Sequence, residues 1–161
     1  KKFNKSNFRQ LHPAGNLGRM LTTVEDLMIT GNKIPLINEE KKMSTAINYM
    51  SQKKLGSLIV LNKKKFVSGF VSDGDIRRQS KKNITHLKIK NFMTKNPIYI
   101  DKKTLAAKAL EIMNKKKITT LIVAAPKTVN KQVKAIGVIH IHAILGAGIK
   151  WEKIKLFNFL L

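Results

Sequence analysis

One short run holds the residues best suited to chemistry: Gly69-Phe70-Val71-Ser72-Asp73-Gly74-Asp75-Ile76-Arg77-Arg78. A strand pattern ends at Ser72 and a helix pattern starts at once, with Ser72 or Asp73 at the helix N-terminus. Such an end presents unpaired N–H groups and a partial positive charge, so phosphate is welcome there. Ser72 offers a hydroxyl that donates to a phosphate oxygen. Asp75, one turn in, offers a carboxylate that accepts both hydroxyls of a ribose. Gly69 allows close approach of strand and ligand, and Arg77 and Arg78 add cationic donors. Gly69, Ser72, Asp73, Asp75, Arg77 and Arg78 are therefore the candidate nucleotide-binding residues. Taken alone, Gly-x-x-Ser-x-x-Asp also describes a helix cap followed by a solvated acid.

The elements that must position this run come from a sequence that states itself twice. Val24-Glu25-Asp26-Leu27-Met28 returns as Ile89-Lys90-Asn91-Phe92-Met93. Ala46-Ile47-Asn48-Tyr49-Met50 returns as Ala109-Leu110-Glu111-Ile112-Met113. Leu58-Ile59-Val60 returns as Leu121-Ile122-Val123, and Gly69-Phe70-Val71 as Gly137-Val138-Ile139. The spacing, roughly 62–68 residues, suits one small α/β lobe rather than a solenoid unit. Two such lobes are expected to pack as a pseudo-symmetric pair, because neither alone buries a large core.

In repeat one, Thr22 or Thr23 caps a short helix ending near Met28, and Ile34 to Ile37 reads as a strand. Met43, Ala46, Ile47 and Met50 form one apolar stripe at i, i+3, i+4 and i+7, with Gly56 near the expected C-cap. Ser57 to Leu61 and Phe66 to Val71 read as strands joined by the turn Asn62-Lys63-Lys64-Lys65, and Asp73 to Gln79 as the closing helix. Repeat two gives a strand at Ile98 to Ile100 and a helical stripe of Ala106, Ala109, Leu110 and Met113 behind Thr104 as N-cap. It ends with strands at Thr120 to Ala125 and Val133 to Ile139, a hairpin at Pro126 to Gln132, and a helix from His142 to Gly146. The methionine stripes are core. The fold class is thus α/β (α+β), two β-α-β-β-α lobes in tandem. The expected divisions are 1–19 before the repeat, 20–80, a linker at 81–88, 89–148, and an apolar tail at 149–161.

Bulk properties narrow the function. The 161 residues carry a formal charge of +23 and no cysteine, which excludes disulfide and thiolate chemistry and fits a reducing compartment, here the cytoplasm. No apolar run reaches the ~18 residues a membrane span needs. The excess charge is mostly lysine in short runs at helix ends and turns, such as Lys63-Lys64-Lys65 and Lys115-Lys116-Lys117. That reads as a solvated surface, without the recognition helix, zinc-finger spacing or stacking aromatics of a specific nucleic-acid binder. His140 and His142 stand at i and i+2 without further ligands nearby, so no metal is assigned. His86 carries no signal. The chain begins at Lys1 rather than Met, which reads as a processed chain or a fragment of something longer.

A doubled unit closed by this motif resembles a pair of CBS domains, tandem modules that bind adenosyl and other nucleotides in the cleft between two lobes. The resemblance covers about residues 20–148. It implies that Ser72 contacts phosphate and Asp75 ribose. In repeat two the equivalent run is Gly137-Val138-Ile139-His140-Ile141-His142-Ala143, where His140 replaces the hydroxyl residue and Ala143 the carboxylate. One competent nucleotide site is therefore expected.

A closer resemblance is to the arabinose 5-phosphate isomerase family, in which a sugar isomerase (SIS) domain leads into a CBS pair. His12-Pro13-Ala14-Gly15-Asn16-Leu17-Gly18-Arg19 is similar to the segment that closes the family's SIS domain. Ser72-Asp73-Gly74-Asp75-Ile76-Arg77-Arg78 is similar to the family's Thr-Asp-Gly-Asp-Leu-Arg-Arg, and His140-Ile141-His142-Ala143 to its His-Met-His-Asp. Ala14, Ala143 and the extension after Gly148 depart from the pattern.

The resemblance implies a parent enzyme that interconverts D-arabinose 5-phosphate and D-ribulose 5-phosphate toward Kdo and lipopolysaccharide. It implies an acid–base role for His12 in the context of a full SIS domain. The rest of that domain is not in this chain, so the chain itself reads as the regulatory portion. It would sense a nucleotide or a CMP-sugar, require no cofactor, and assemble as a homo-oligomer. The alternative is a purely structural, dimerising CBS module with decayed ligand sites.

Overall fold

The computed structural model describes residues 16–79, 82–124 and 132–150. His12, the hairpin residues 125–131, Lys81 and the tail from Trp151 lie outside them. The described residues group into two compact units: one takes those within Ile29–Tyr99 and Ile122–Val138, the other Ile100–Leu121 with the described residues up to Met28 and from Ile139 on.

In the first unit, β1 (Leu36–Asn38) is followed by helix α3 (Met43–Lys53), β2 (Ser57–Leu61), β3 (Val67–Ser72) and α4 (Asp73–Arg78). Strand β2 is central. It pairs in parallel with β1 (Leu36 opposite Ile59) and antiparallel with β3 (Leu58 opposite Val71). The parallel pair needs a crossover and α3 supplies it, whereas the antiparallel pair closes through a tight turn. Alternation along β2 then separates two apolar clusters. Leu58 and Val60 join Ile37, Met43, Ala46, Met50 and Val71 under α3, while Ile59 packs on the opposite side with Ile34, Ile122 and Val138.

The segment that joins the repeats is packed. Ile84 and Ile89 are buried in the α3 cluster. Its backbone runs beside residues 39–44: Met43 N donates to Leu87 O, Ser44 N to Thr85 O, Ile89 N to Lys41 O and Lys90 N to Glu39 O. Glu40 closes this zipper, accepting from Lys88 Nζ at 2.8 Å and Lys90 Nζ at 2.9 Å. Those bonds hold its carboxyl down at about 2.

In the second unit, α1 (Asn16–Met20) and α2 (Val24–Leu27) precede α5 (Ala106–Lys116) and α6 (Ile141–Gly146). Val24, Ala106, Ala109, Leu110, Met113, Leu121, Ile139 and Ile144 are buried there. Thr23 caps α2, its backbone N–H and hydroxyl both donating to Asp26 Oδ2 at 2.7 Å. Strands β4 (Tyr99–Ile100), β5 (Thr120–Ala124) and β6 (Ala135–His140) form the second three-stranded sheet, in that order.

Both helical stripes and every expected strand are present within a few residues; two caps differ. The αL residue ending α3 is Lys54 (φ 56°), and Gly56 lies two residues further on at φ 59°. Lys117 ends α5 in the same way. The N-cap of α5 is Leu105 rather than Thr104, with no side-chain cap bond. Thr104 instead accepts Val24 N through its carbonyl. The lysine runs at 41–42, 63–65 and 115–117 are exposed, as solvated charge should be. Among the described residues no helix is long and apolar enough to cross a membrane.

Candidate functional site

The joint between β3 and α4 is built from the edge of the first sheet. Ser72 is the last residue of β3, opposite Ser57 on β2, and its extended backbone (φ −115°, ψ 159°) makes it the N-cap of α4. Asp73 N donates to Gly56 O at 2.9 Å, which ties the start of the helix to the turn before β2.

Ser72 and Asp75 form a reciprocal capping box. Asp75 N donates to Ser72 Oγ at 3.2 Å. Asp75 Oδ2 accepts Ser72 N at 2.9 Å and Ser72 Oγ at 2.6 Å. The other carboxylate oxygen, Oδ1, is paired with Arg78 Nη2, one turn further along. Arg78 reaches it by folding back across Gly74: a Cβ at position 74 would lie 3.3 Å from Arg78 Nη1 and 3.6 Å from Ser72 Oγ. Ser72, Gly74, Asp75 and Arg78 thus form one polar cluster on the first turn of a short helix. Asp75 is partly shielded and Arg78 open to solvent, with side chains 21% and 72% exposed.

The remaining candidates stand apart from this cluster. Asp73 and Arg77 are exposed. Gly69 is buried, and the close approach it permits is internal. A Cβ there would lie 2.5 Å from Met93 Sδ and 2.9 Å from Thr94 O. Thr94 and Phe70 exchange two backbone hydrogen bonds at this point, of 2.8 and 3.0 Å. Sequence reasoning missed Gly74. Its one signal was a glycine inside a helix, where it costs roughly 0.5–1 kcal/mol relative to Ala unless something uses the space.

The second repeat builds the same joint from different residues. His140 ends β6 and is the N-cap of α6, its Nδ1 accepting His142 N at 3.2 Å. That bond requires an unprotonated Nδ1. The two imidazoles stand with centroids 4.8 Å apart. Partial burial, and then the neighbouring His142, push the His140 imidazole below its ordinary value. Ala143 stands where Asp75 stands in the first joint, so this end has no carboxylate. Among the described residues no group of three His, Cys, Asp or Glu could hold a metal.

The CBS domain family model matches the chain twice, over residues 24–82 and 89–150. Arabinose 5-phosphate isomerase KdsD of Yersinia pestis is 32% identical over 91% of this chain and 44% of its own length. An uncharacterized protein of Rickettsia prowazekii is 36% identical over 91% of this chain and 44% of its own. The chain therefore spans less than half the length of these curated relatives. Among solved structures, the CBS domain pair of protein MJ0100 in complex with 5′-methylthioadenosine and S-adenosyl-L-methionine superposes with a TM-score of 0.67. It is 18% identical and covers 81% of this chain and 99% of that one. CBSX2 in complex with AMP gives a TM-score of 0.63 at 20% identity, over 83% of this chain and 98% of that one. At these identities the likeness is one of fold.

Proposed function

The chain belongs to the CBS-domain family, and from that premise we propose that it is the nucleotide-sensing regulatory part of an arabinose 5-phosphate isomerase. The parent enzyme would interconvert D-arabinose 5-phosphate and D-ribulose 5-phosphate on the route to Kdo and lipopolysaccharide. His12, outside the described residues, would serve that reaction only within a complete sugar isomerase domain. Support for the isomerase link is the 32% identity to such an enzyme along nearly the whole of this chain. Support for a nucleotide or CMP-sugar ligand is twofold: CBS structures of the same fold hold AMP or adenosyl compounds, and one of the two joints here carries a hydroxyl beside a carboxylate.

The observation that carries the reading is the Ser72–Asp75 pair at the end of β3, present in one repeat and absent from the other. Asp75 would accept the ribose hydroxyls and Ser72 would donate to phosphate. Arg77 and Asp73 flank the site. A bound ligand would regulate the catalytic domain by preferring one arrangement of the whole protein, since only differential affinity shifts an equilibrium. Calorimetry with adenine and cytidine nucleotides tests it. Asp75→Ala should weaken binding at least tenfold, or ~1.4 kcal/mol, while the protein stays folded by circular dichroism. Equal affinity in the two proteins would remove Asp75 from ribose recognition.

A second reading is a structural, dimerising module. What favours it is that the Ser72–Asp75 bonds have the form of a helix cap, as Thr23 and Asp26 show at α2, and that Ala143 leaves the other joint bare. Under that reading no nucleotide raises the melting temperature beyond a matched salt control.

A further inference from the structure

We propose that one end of the first sheet is a docking surface for the phosphate backbone of double-stranded nucleic acid, held without regard to base sequence. It stands apart from the joint at Ser72. That joint lies where Ser57 begins β2, whereas this surface gathers where Leu61 ends it. Acids are absent from two long stretches of the chain. Residues 41–72 include no Asp or Glu, and neither do residues 112–151. The two stretches meet at this end of the sheet, where Val67 N donates to Val133 O at 2.8 Å.

The turn between β2 and β3 carries three lysines in a row. Asn62 Oδ1 fixes its shape by accepting Lys64 N at 2.9 Å and Phe66 N at 3.0 Å. Lys63, Lys64 and Lys65 are all exposed there. Lys134 joins them by lying over the Phe66 ring, its Nζ 5.7 Å from the centroid. On the other side of the turn, Glu39 N donates to Leu61 O, and the chain runs on through exposed Lys41 and Lys42. Ile89 N donates to Lys41 O and Lys90 N to Glu39 O, which brings Lys88 and Lys90 alongside. The band thus holds eight exposed lysines against Glu39 and Glu40, an excess of six positive charges. Glu40 is shared between Lys88 and Lys90. Among the described residues no ion pair engages the turn lysines or Lys134.

The side-chain types select the partner. Crowded like charges repel, and a polyanion relieves that repulsion while shedding its own counterions. The band has no arginine to grip a base edge through two bonds, and no exposed aromatic ring on which an unpaired base could stack. Among the described residues the exposed large apolar side chains are Ile98, Leu105 and Leu145, none of them in the band. The band therefore lacks the apolar anchors that enter a bilayer or fill a pocket on a protein partner. Lysine offers point charges, which suit the dense phosphates of a duplex, about one per 1.7 Å of axis.

Fluorescence anisotropy of the whole chain with a labelled DNA duplex, over a salt series, tests this. Log K should fall with log salt at a slope of about −5, the release expected for roughly six phosphates. That is about a 10³-fold loss between roughly 50 and 200 mM salt. Duplexes of different base composition should bind within about twofold of one another, and a single strand of equal length more weakly. The variant Lys63→Gln, Lys64→Gln, Lys65→Asn should flatten the slope by about three. The matched control is Lys115→Gln, Lys116→Gln, Lys117→Asn. It removes the same charge from another exposed run whose last residue is also left-handed, φ 56° against 64° at Lys65. Its slope should change by less than about one. Thermal melts confirm that each variant is folded. Equal flattening in the two variants overturns the docking surface and leaves only diffuse charge. Failure of wild type to bind duplex at about 50 mM salt overturns it too, as does binding to phosphatidylserine vesicles without binding to duplex.

Discussion

Gly69→Ala should be strongly destabilising, and the reason is local. The added methyl carbon would sit 2.5 Å from Met93 Sδ, 2.7 Å from Met93 Cγ and 2.9 Å from Thr94 O. Comfortable heavy-atom separations are ~3.5–4.0 Å, so something must open by about 0.5–1 Å. Met93 is flexible and can turn aside, but Thr94 O belongs to a backbone that exchanges hydrogen bonds of 2.8 and 3.0 Å with Phe70. Stretching those by half an ångström carries them to the limit of a hydrogen bond. Overpacking costs roughly 1–3 kcal/mol and each weakened bond up to about 1 kcal/mol. Replacing a strand glycine by alanine returns roughly 0.5–1 kcal/mol. The net is about 2–3 kcal/mol, or roughly 5–10 °C in Tm for a chain of this size. Urea and thermal melts followed by far-UV circular dichroism measure it. Gly146→Ala, where no heavy atom lies within 4 Å of the new carbon, is the control and should be neutral or stabilising. Adding Met93→Ala to Gly69→Ala should recover part of the loss, the remainder belonging to Thr94. A Gly69→Ala protein that melts within 1 °C or so of wild type refutes this account of β3.

Glu40, held down at about 2 by Lys88 and Lys90 against an ordinary 4.5, stabilises the fold above pH 4.5 and loses that contribution as pH falls toward 2. The gap in urea midpoint between wild type and Glu40→Gln should therefore close over that window, and a gap independent of pH would rule the clip out. His140, depressed by burial and by His142, favours folding when neutral. Its contribution is full above pH 6.5 and falls as the pH drops below it. Melting between pH 7.5 and 5.5 should decline more steeply in wild type than in His140→Asn, and parallel profiles would contradict the cap. Lys54 and Lys117 hold φ of 56° at helix C-termini. Lys54→Gly and Lys117→Gly should each stabilise by about 0.5–1 kcal/mol in urea melts; lower midpoints would show that their side chains matter more than their backbones.

The repeat was legible because each copy keeps the same apolar faces: Met43, Ala46 and Met50 in one helix, Ala106, Ala109, Leu110 and Met113 in the other. Periodicity reports which face is buried, and those residues are buried. Caps were less legible. Lys54 and Lys117 occupy the left-handed position that glycine would favour, and nothing in a lysine's type announces that. Leu105 takes the cap position that Thr104's type suggested, while the Thr104 carbonyl accepts Val24 N from 80 residues earlier in the chain. The polar cluster was legible in part. Ser72 and Asp75 have the spacing of a capping box, but the turn of Arg78 over Gly74 onto Asp75 emerges only in three dimensions. The role of Gly69 was hidden for the same reason, since Met93 and Thr94 arrive from more than twenty residues away.

Ile122 and Val138, both from the later repeat, wall one side of the strand that runs through Ser57–Leu61. A half-length chain ending near Ile100 would therefore lose part of the cover over Ile34 and Ile59. The earlier copy thus relies on the later one for part of one face of its sheet, and alone it would present that apolar surface to solvent or to a sister molecule.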